Sequence, residues 1–467
     1  MTDGSNGSGD LSGPNGSERA LCPAEALYVG QRSRAVLSCA LRGRVDVEAL
    51  SAAFDAITAA HPTLRSRIAP GGPSGYVLRL LTEEERPRLL TRTGDLADAY
   101  AAELNAALPV GGPLTRAVLV SAPEGDDHLF VLVVDHTITD GHSSITLHNS
   151  LWDGYRNLVS EGVSTTGSTE EEEDEDLAWP RPVSELLPHA DEADTAKYLE
   201  QRVEQAAAHQ VNLVPYDVPR PTAEQPAPEG HIETRRLTLS LEETARLRQV
   251  ARRAGVSVHG LVSAAVVRAA RLRVDGDGDA PRVLGCLSPV DLRSRLTPPV
   301  PASVMVAAVA THLQTVEISP ETDPLTLART LHTRLTDAID NGDHVKELRI
   351  MPEIPRHPTL QLSTVIVTNM GVVPGPRLPE DLRATDVRLV PARENYFPQA
   401  GRSPVMACVV SFEGRLAVEF PHFTSCFSAS FMGSFRDDVR EGLLAFAANA
   451  DADTDPVPAT AGRAEAP

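Results

Sequence analysis

The sequence predicts an α/β protein made of two α/β sandwich domains. Three observations lead there. Strand-like and helix-like segments alternate in both halves. A proline-rich interval separates the halves. At 467 residues the chain is also too long for one ordinary hydrophobic core. No short-period repeat is evident.

The opening MTDGSNGSGDLSGPNGSERA is Gly-, Ser- and Asn-rich, without a basic or an apolar signal region. It predicts a disordered tail over 1–20. The first domain is expected over 21–185. Residues 35–42 alternate as a strand does. Asp46 is placed to cap a helix in which Val47, Leu50, Phe54 and Ile57 share a face, and His61-Pro62 ends it. The run DHLFVLVVD, 127–135, is nearly all apolar and of strand length, so both its faces should be buried. From Ser143 the pattern turns helical to about 159. An acidic loop is expected over 160–178, because EEEEDED at 170–176 sets seven acids in a row. Residues 186–230, with VPYDVPRPTAEQPAPEG at 214–230, read as a crossover linker carrying a helix near 191–210.

The second domain is expected over 231–447. It opens with the strand HIETRRLTLS, after which Ser240 and Glu243 form a capping box for a helix over 241–253. A second helix follows Ser257 and is apolar nearly all round. Later strands are expected at 282–288, 303–317, 362–368, 405–412 and 415–420, with a last helix at about 428–447 and a disordered tail over 448–467.

Composition narrows the function. The formal net charge of −21 disfavours nucleic acid and anionic membranes as partners. No apolar stretch reaches the roughly 18–20 residues that span a bilayer. The five cysteines are scattered, without paired spacing, which suits a reducing cytoplasm better than a disulfide framework.

Chemistry concentrates where the buried strand ends, in VLVVDHTITDGHSS at 131–144. His136 leaves the sheet there, and an imidazole with an ordinary pKa near 6.5 accepts a proton at neutral pH. Asp140, four residues on, suits a role in holding the loop, by bonding backbone or an arginine. Gly141 allows close packing or a positive φ, and Ser143 can cap the next helix. Taken alone, a histidine and an aspartate beside a strand also suit a purely structural part. No further ligand cluster joins His136, Asp140 and His142, so no metal is expected. A serine hydrolase is excluded by the lack of a GxSxG elbow.

The string HTITDG also resembles the HxxxDG signature of the superfamily of chloramphenicol acetyltransferase, plant BAHD acyltransferases and the condensation domains of nonribosomal peptide synthetases. LCPAEALYVG and LRGRVDVEALSAAFDAITAAHPTLRSRI resemble the opening of the condensation-domain and polyketide-associated acyltransferase branch. GVSVHGLVSAAVVRAARL, LSPVDLRSRLTPPV and TVIVTNMGVVPG resemble its second half. The nearest resemblance is to phthiocerol dimycocerosyl transferase-like acyltransferases, over about 21–447. One position departs from the condensation-domain pattern HHxxxDG: Asp135 stands where the first histidine would be, which weakens the case for peptide-bond condensation.

The resemblance implies two chloramphenicol acetyltransferase-like domains in a V, with a tunnel at their interface. It implies His136 as general base, and Asp140 and Gly141 as the shape of the active-site loop. Asp140 would pair with Arg293, with Arg295 in reserve. Asn369 could contact the oxyanion or acceptor, or simply form a turn; Ser143 could cap a helix or reach the site. His142 and His422 read as rim or packing residues. No tightly bound cofactor is implied: the acyl donor would be acyl-CoA or an acyl-phosphopantetheinyl carrier protein, and the acceptor a small-molecule alcohol or amine. Ester formation in polyketide or other secondary metabolism is the leading expectation. Amide formation, and an idle module that binds a carrier protein or pathway partner, are the alternatives. A cytoplasmic monomer is expected, since one chain supplies both walls of the site.

Overall fold

A computed structural model of the chain describes residues 16–161, 178–219, 230–276, 278–394 and 402–452. The acidic run 170–176, most of the tails expected over 1–20 and 448–467, and part of the crossover lie outside these described residues.

Two large sheets organise the chain. The first has five strands, in the order Leu382–Arg393, Ser33–Gly43, Asp127–Asp135, Thr115–Ser121, Leu89–Thr93. Its middle strand is buried on both faces because its side chains alternate between two cores. Phe130, Leu132 and Val134 pack with helices Val47–Ala59 and Gly141–Glu161. Leu129, Val131 and Val133 turn the other way, onto Tyr100 and Leu104 of helix Leu96–Asn105. Asp46 starts the Val47–Ala59 helix by accepting from the Glu48 and Ala49 amides.

The second sheet has six strands, in the order Val309–Ile318, Arg282–Asp291, Val365–Val372, Val405–Phe412, Arg415–Phe423, Ile232–Thr238. Helices Leu241–Ala254, Val258–Arg271 and Ala429–Ala452 bury their apolar faces in one core against it. The Ser240–Glu243 box opens the first of these helices. Gly255, at φ +66°, closes it in a left-handed turn. Ile232 and Cys408 of this sheet share a core cluster with Val131 and Val133 of the first, so apolar contact runs from one sheet to the other.

Away from the 136–144 turn, the structure departs from the sequence reading in several places. Residues 18–20, expected in the tail, form strand Glu18–Ala20 on Tyr76–Leu80, with Arg19 buried against Glu25 at 2.6 Å. The last helix runs on to Ala452. The strand expected over 303–317 begins only at Val309. The carbonyls of Pro301, Val304 and Val306 and the amide of Ala308 are instead spent on the Arg293 and Asp140 side chains. Finally, strand Leu382–Arg393 lies within the second half of the sequence but pairs along its length with Ser33–Gly43 of the first sheet. It forms the sheet edge, which is where Pro391 is tolerated.

Candidate active site

His136 follows the last residue of strand Asp127–Asp135, and its amide donates to the Ser33 carbonyl at 2.9 Å. That bond fixes the residue at the sheet's end. The imidazole lies flat on the ring of Tyr28, from helix Pro23–Gln31, with centroids 4.4 Å apart and planes 6° from parallel. Its Nδ1 is buried and makes no hydrogen bond among the described residues. The ring borders a cavity of about 260 Å³. Tyr28, Gln31 and Gly141 wall it from the first half, and Leu287, Val309, Ile366 and Met406 from the second. Leu389, Pro391 and Arg393 of the exchanged strand complete it.

This setting acts on the imidazole's charge. Burial lowers the His136 pKa from 6.5 to about 4; the Arg393 charge adds to that, while the backbone of His136 and Thr139 and the Asp140 carboxylate oppose it. At neutral pH the ring is therefore uncharged and able to take a proton. Burial also raises the Tyr28 phenol to about 12, so it stays protonated.

Asp140 and Arg293 hold the turn. The Arg293 Nη2 lies 2.8 Å from Asp140 Oδ2, and its Nε donates to the same oxygen at 3.0 Å. The remaining guanidinium hydrogens go to the Pro301, Val304 and Val306 carbonyls. Asp140 in turn accepts from the Ala308 amide at 3.0 Å and the Ser143 amide at 2.9 Å. Both side chains are buried to within a few per cent.

This arrangement corrects one expectation. The helix begins at Gly141, not Ser143, and Asp140 is its cap. Ser143 Oγ accepts from the Asp140 amide at 3.0 Å, is fully buried, and does not border the cavity. Gly141 serves close packing rather than a left-handed turn, since a Cβ there would stand 2.4 Å from the Met370 sulfur.

Asn369 does border the cavity, and its Oδ1 also accepts from the Gly371 amide at 2.8 Å, so a turn-shaping bond and a place at the site coexist. Arg295 is exposed and donates to the Asp291 carbonyl, away from Asp140. His142 is exposed at the cavity rim, and His422 is buried beside a smaller adjoining cavity. Asp135 accepts from the Thr137 amide and hydroxyl. Burial raises its carboxyl to about 6 against the pull of those bonds and of Arg34.

Tyr28, Gln31 and Arg393 are among the cavity residues that sequence reasoning missed. Tyr28 sits in LCPAEALYVG, but no spacing relates residue 28 to residue 136.

Known proteins bear on this geometry. Residues 228–421 match the family model described as phthiocerol/phthiodiolone dimycocerosyl transferase C-terminus. The phthiocerol/phthiodiolone dimycocerosyl transferase of Mycobacterium ulcerans (strain Agy99) is 28% identical over 378 residues, which is 79% of this chain and 84% of that protein. The structure of polyketide synthase associated protein 5 from Mycobacterium tuberculosis superposes with a TM-score of 0.68 at 22% identity, covering 92% of this chain and 98% of that one.

The likeness is to acyltransferases of the condensation-domain and chloramphenicol acetyltransferase-like superfamily.

The chain's fold is the two-lobed, chloramphenicol acetyltransferase-like one. Trichothecene 15-O-acetyltransferase from Fusarium sporotrichioides has it too, with a TM-score of 0.69 at 13% identity, over 94% of this chain and 97% of that one. In this chain the HxxxDG string lies in the first lobe. The family-matched stretch supplies Arg293, Asn369 and Arg393 from 228–421.

Proposed function

We propose that the chain moves an acyl group from a thioester to a small-molecule hydroxyl, with His136 as general base. One observation carries this reading: a neutral imidazole, its Nδ1 buried and unbonded, borders a cavity walled by both lobes. Nε2 takes the hydroxyl proton as the oxygen attacks the thioester carbonyl. The tetrahedral intermediate collapses, the C–S bond breaks, and the imidazolium returns its proton to the leaving thiolate. The Asn369 amide is offered to the oxyanion. Asp140, Gly141 and Arg293 hold the turn without touching the reacting atoms, and Ser143 supports Asp140.

The donor in this reading is acyl-CoA or an acyl-phosphopantetheinyl carrier protein, with no tightly bound cofactor. Relatives named for dimycocerosyl transfer, and a neighbour associated with polyketide synthase, support a setting in polyketide or lipid-like metabolism. In this reading the two domains span 21–185 and 231–447, and strand Leu382–Arg393 of the second pairs into the first lobe's sheet. A single chain supplies both walls, which supports a monomer. The test is incubation with short and long acyl thioesters, on both carriers, against a panel of alcohols and amines, following free thiol and product mass. Ester products lost in His136→Ala support the reading. Amide products, or turnover unaffected by His136→Ala, count against it.

A further inference from the structure

Arg393 has no part in the steps above, yet it stands beside the imidazole. Alternation along its strand puts Leu389, Pro391 and Arg393 on the cavity face. Its Cα pairs across the sheet with that of Ser33, whose carbonyl accepts from the His136 amide. Residues 393, 33 and 136 therefore lie side by side at one end of three neighbouring strands.

The other cations there are engaged. Arg32 and Arg34 both contact Glu394, at 2.9 and 3.2 Å, and Arg293 is held by Asp140. The carboxylates that border the cavity are engaged as well: Asp140 by Arg293, and Asp291 by the Arg293 amide at 3.0 Å. Among the described residues Arg393 has no ion-pair partner, and its buried Nε makes no hydrogen bond. Two neighbours share that condition. Gln31 Oε1 is unpartnered on the cavity wall, in a side chain only 9% exposed; Ser33 Oγ is unpartnered too, in a fully buried residue that does not itself border the cavity. Buried polar groups in folded chains are nearly always bonded, so this cluster beside an open space points to a ligand that completes it.

We propose that Arg393, with Gln31, forms a subsite for a carboxylate carried by one of the two substrates close to the reacting carbonyl. The subsite rests on the acyl-transfer reading. A guanidinium offers a planar fork that matches a carboxylate. The Gln31 amide, which can turn its NH₂ inward, supplies a further donor. The phosphate of a phosphopantetheine arm does not fit this place. With the thioester at His136, that phosphate lies at the far end of the extended arm. The carboxylate belongs either to the acyl chain or to the acceptor.

Thiol release with two matched pairs separates these sources: butyryl-CoA against succinyl-CoA, and a primary alcohol against the hydroxy acid of equal length. The wild-type protein should prefer the acid in one pair by about tenfold to hundredfold in kcat/KM, the size expected of a charge-assisted contact. Arg393→Met should collapse that preference to within about threefold, and Arg393→Lys, which keeps the charge, should retain part of it. Thermal unfolding of both variants checks that they fold. Equal rates for the acid and neutral members in both wild-type pairs, or a preference that survives Arg393→Met, would overturn the subsite while leaving acyl transfer standing. If no donor turns over at all, the acyl-transfer reading falls, and calorimetric titration of glutarate still decides the subsite. Binding to wild type that is lost in Arg393→Met supports it; equal binding, or none to either, overturns it.

Discussion

The Arg293 guanidinium and the Asp140 carboxylate, 153 residues apart in the chain, meet at 2.8 Å between the two lobes. One side of the pair caps the helix behind the HxxxDG turn. The other gathers the 301–306 backbone that replaces the start of a strand. Removing one partner leaves a buried charge unpaired. Arg293→Met should therefore cost about 3–5 kcal/mol in urea unfolding and lower turnover as the turn loosens. Arg293→Lys should rescue little, since a lysine cannot repeat the fork. An unchanged unfolding midpoint in Arg293→Met would mean that the pair does not hold the turn.

His136→Ala tests the base directly. It should lower kcat by about 10²–10⁴-fold, the range of positioned proton transfer, while the circular dichroism spectrum stays that of a folded chain. A variant that retains most of its turnover would assign the proton to another group.

The pH profile follows from the depressed pKa of His136. The base form persists above that pKa, so kcat/KM should stay level from neutral pH downward and fall only as the pH approaches about 4. Arg393 adds to the depression, and Arg393→Met should shift the acidic limb toward higher pH. An acidic limb already at the ordinary 6.5 in wild type would contradict the burial described here.

His148 makes stability depend on pH. Trp152 Nε1 donates to its Nε2 at 3.0 Å, so the proton sits on Nδ1, which donates to Asn149 Oδ1 at 3.1 Å. Burial lowers the His148 pKa to about 4. The unfolded chain, with the ordinary value near 6.5, then binds more protons than the folded one. The stabilisation is complete above about 6.5 and is lost as the pH falls through about 4. His259, held near 4 by burial, adds in the same direction. Urea unfolding at pH 7.5, 6 and 5 should show falling stability. His148→Gln, which keeps an acceptor for Trp152, should flatten part of the slope. Identical slopes in the two proteins would place the effect elsewhere.

Gly141 and Met370 make a paired prediction. An alanine at 141 would drive its Cβ into the flexible end of Met370, which borders the cavity. Gly141→Ala should raise KM several-fold at a stability cost of about 1–3 kcal/mol. Adding Met370→Ala should restore KM by vacating that space. A double variant as impaired as the single one would show that the glycine matters for another reason.

The sequence by itself determined the elements and the reactive string. The apolar run 127–135, the Asp46 cap and the Ser240–Glu243 box are local patterns of period, capping and side-chain polarity, and they need no distant partner to be read. The same holds for a histidine placed where a buried strand ends. The Asp140–Arg293 relation was legible only through resemblance, because nothing in local spacing links residues so far apart.

Tertiary structure decided the rest. The strand Leu382–Arg393 carries a proline and mixed polarity, so its pattern is weak, and only an open edge beside Ser33–Gly43 makes it a strand. That exchange sets Arg393 beside His136. The delay of a strand to Val309 arises because a buried ion pair claims the preceding backbone groups. The stack of Tyr28 on His136 depends on where a helix packs. In each case long-range burial and pairing outweigh local preference, and those terms exist only once the chain has folded.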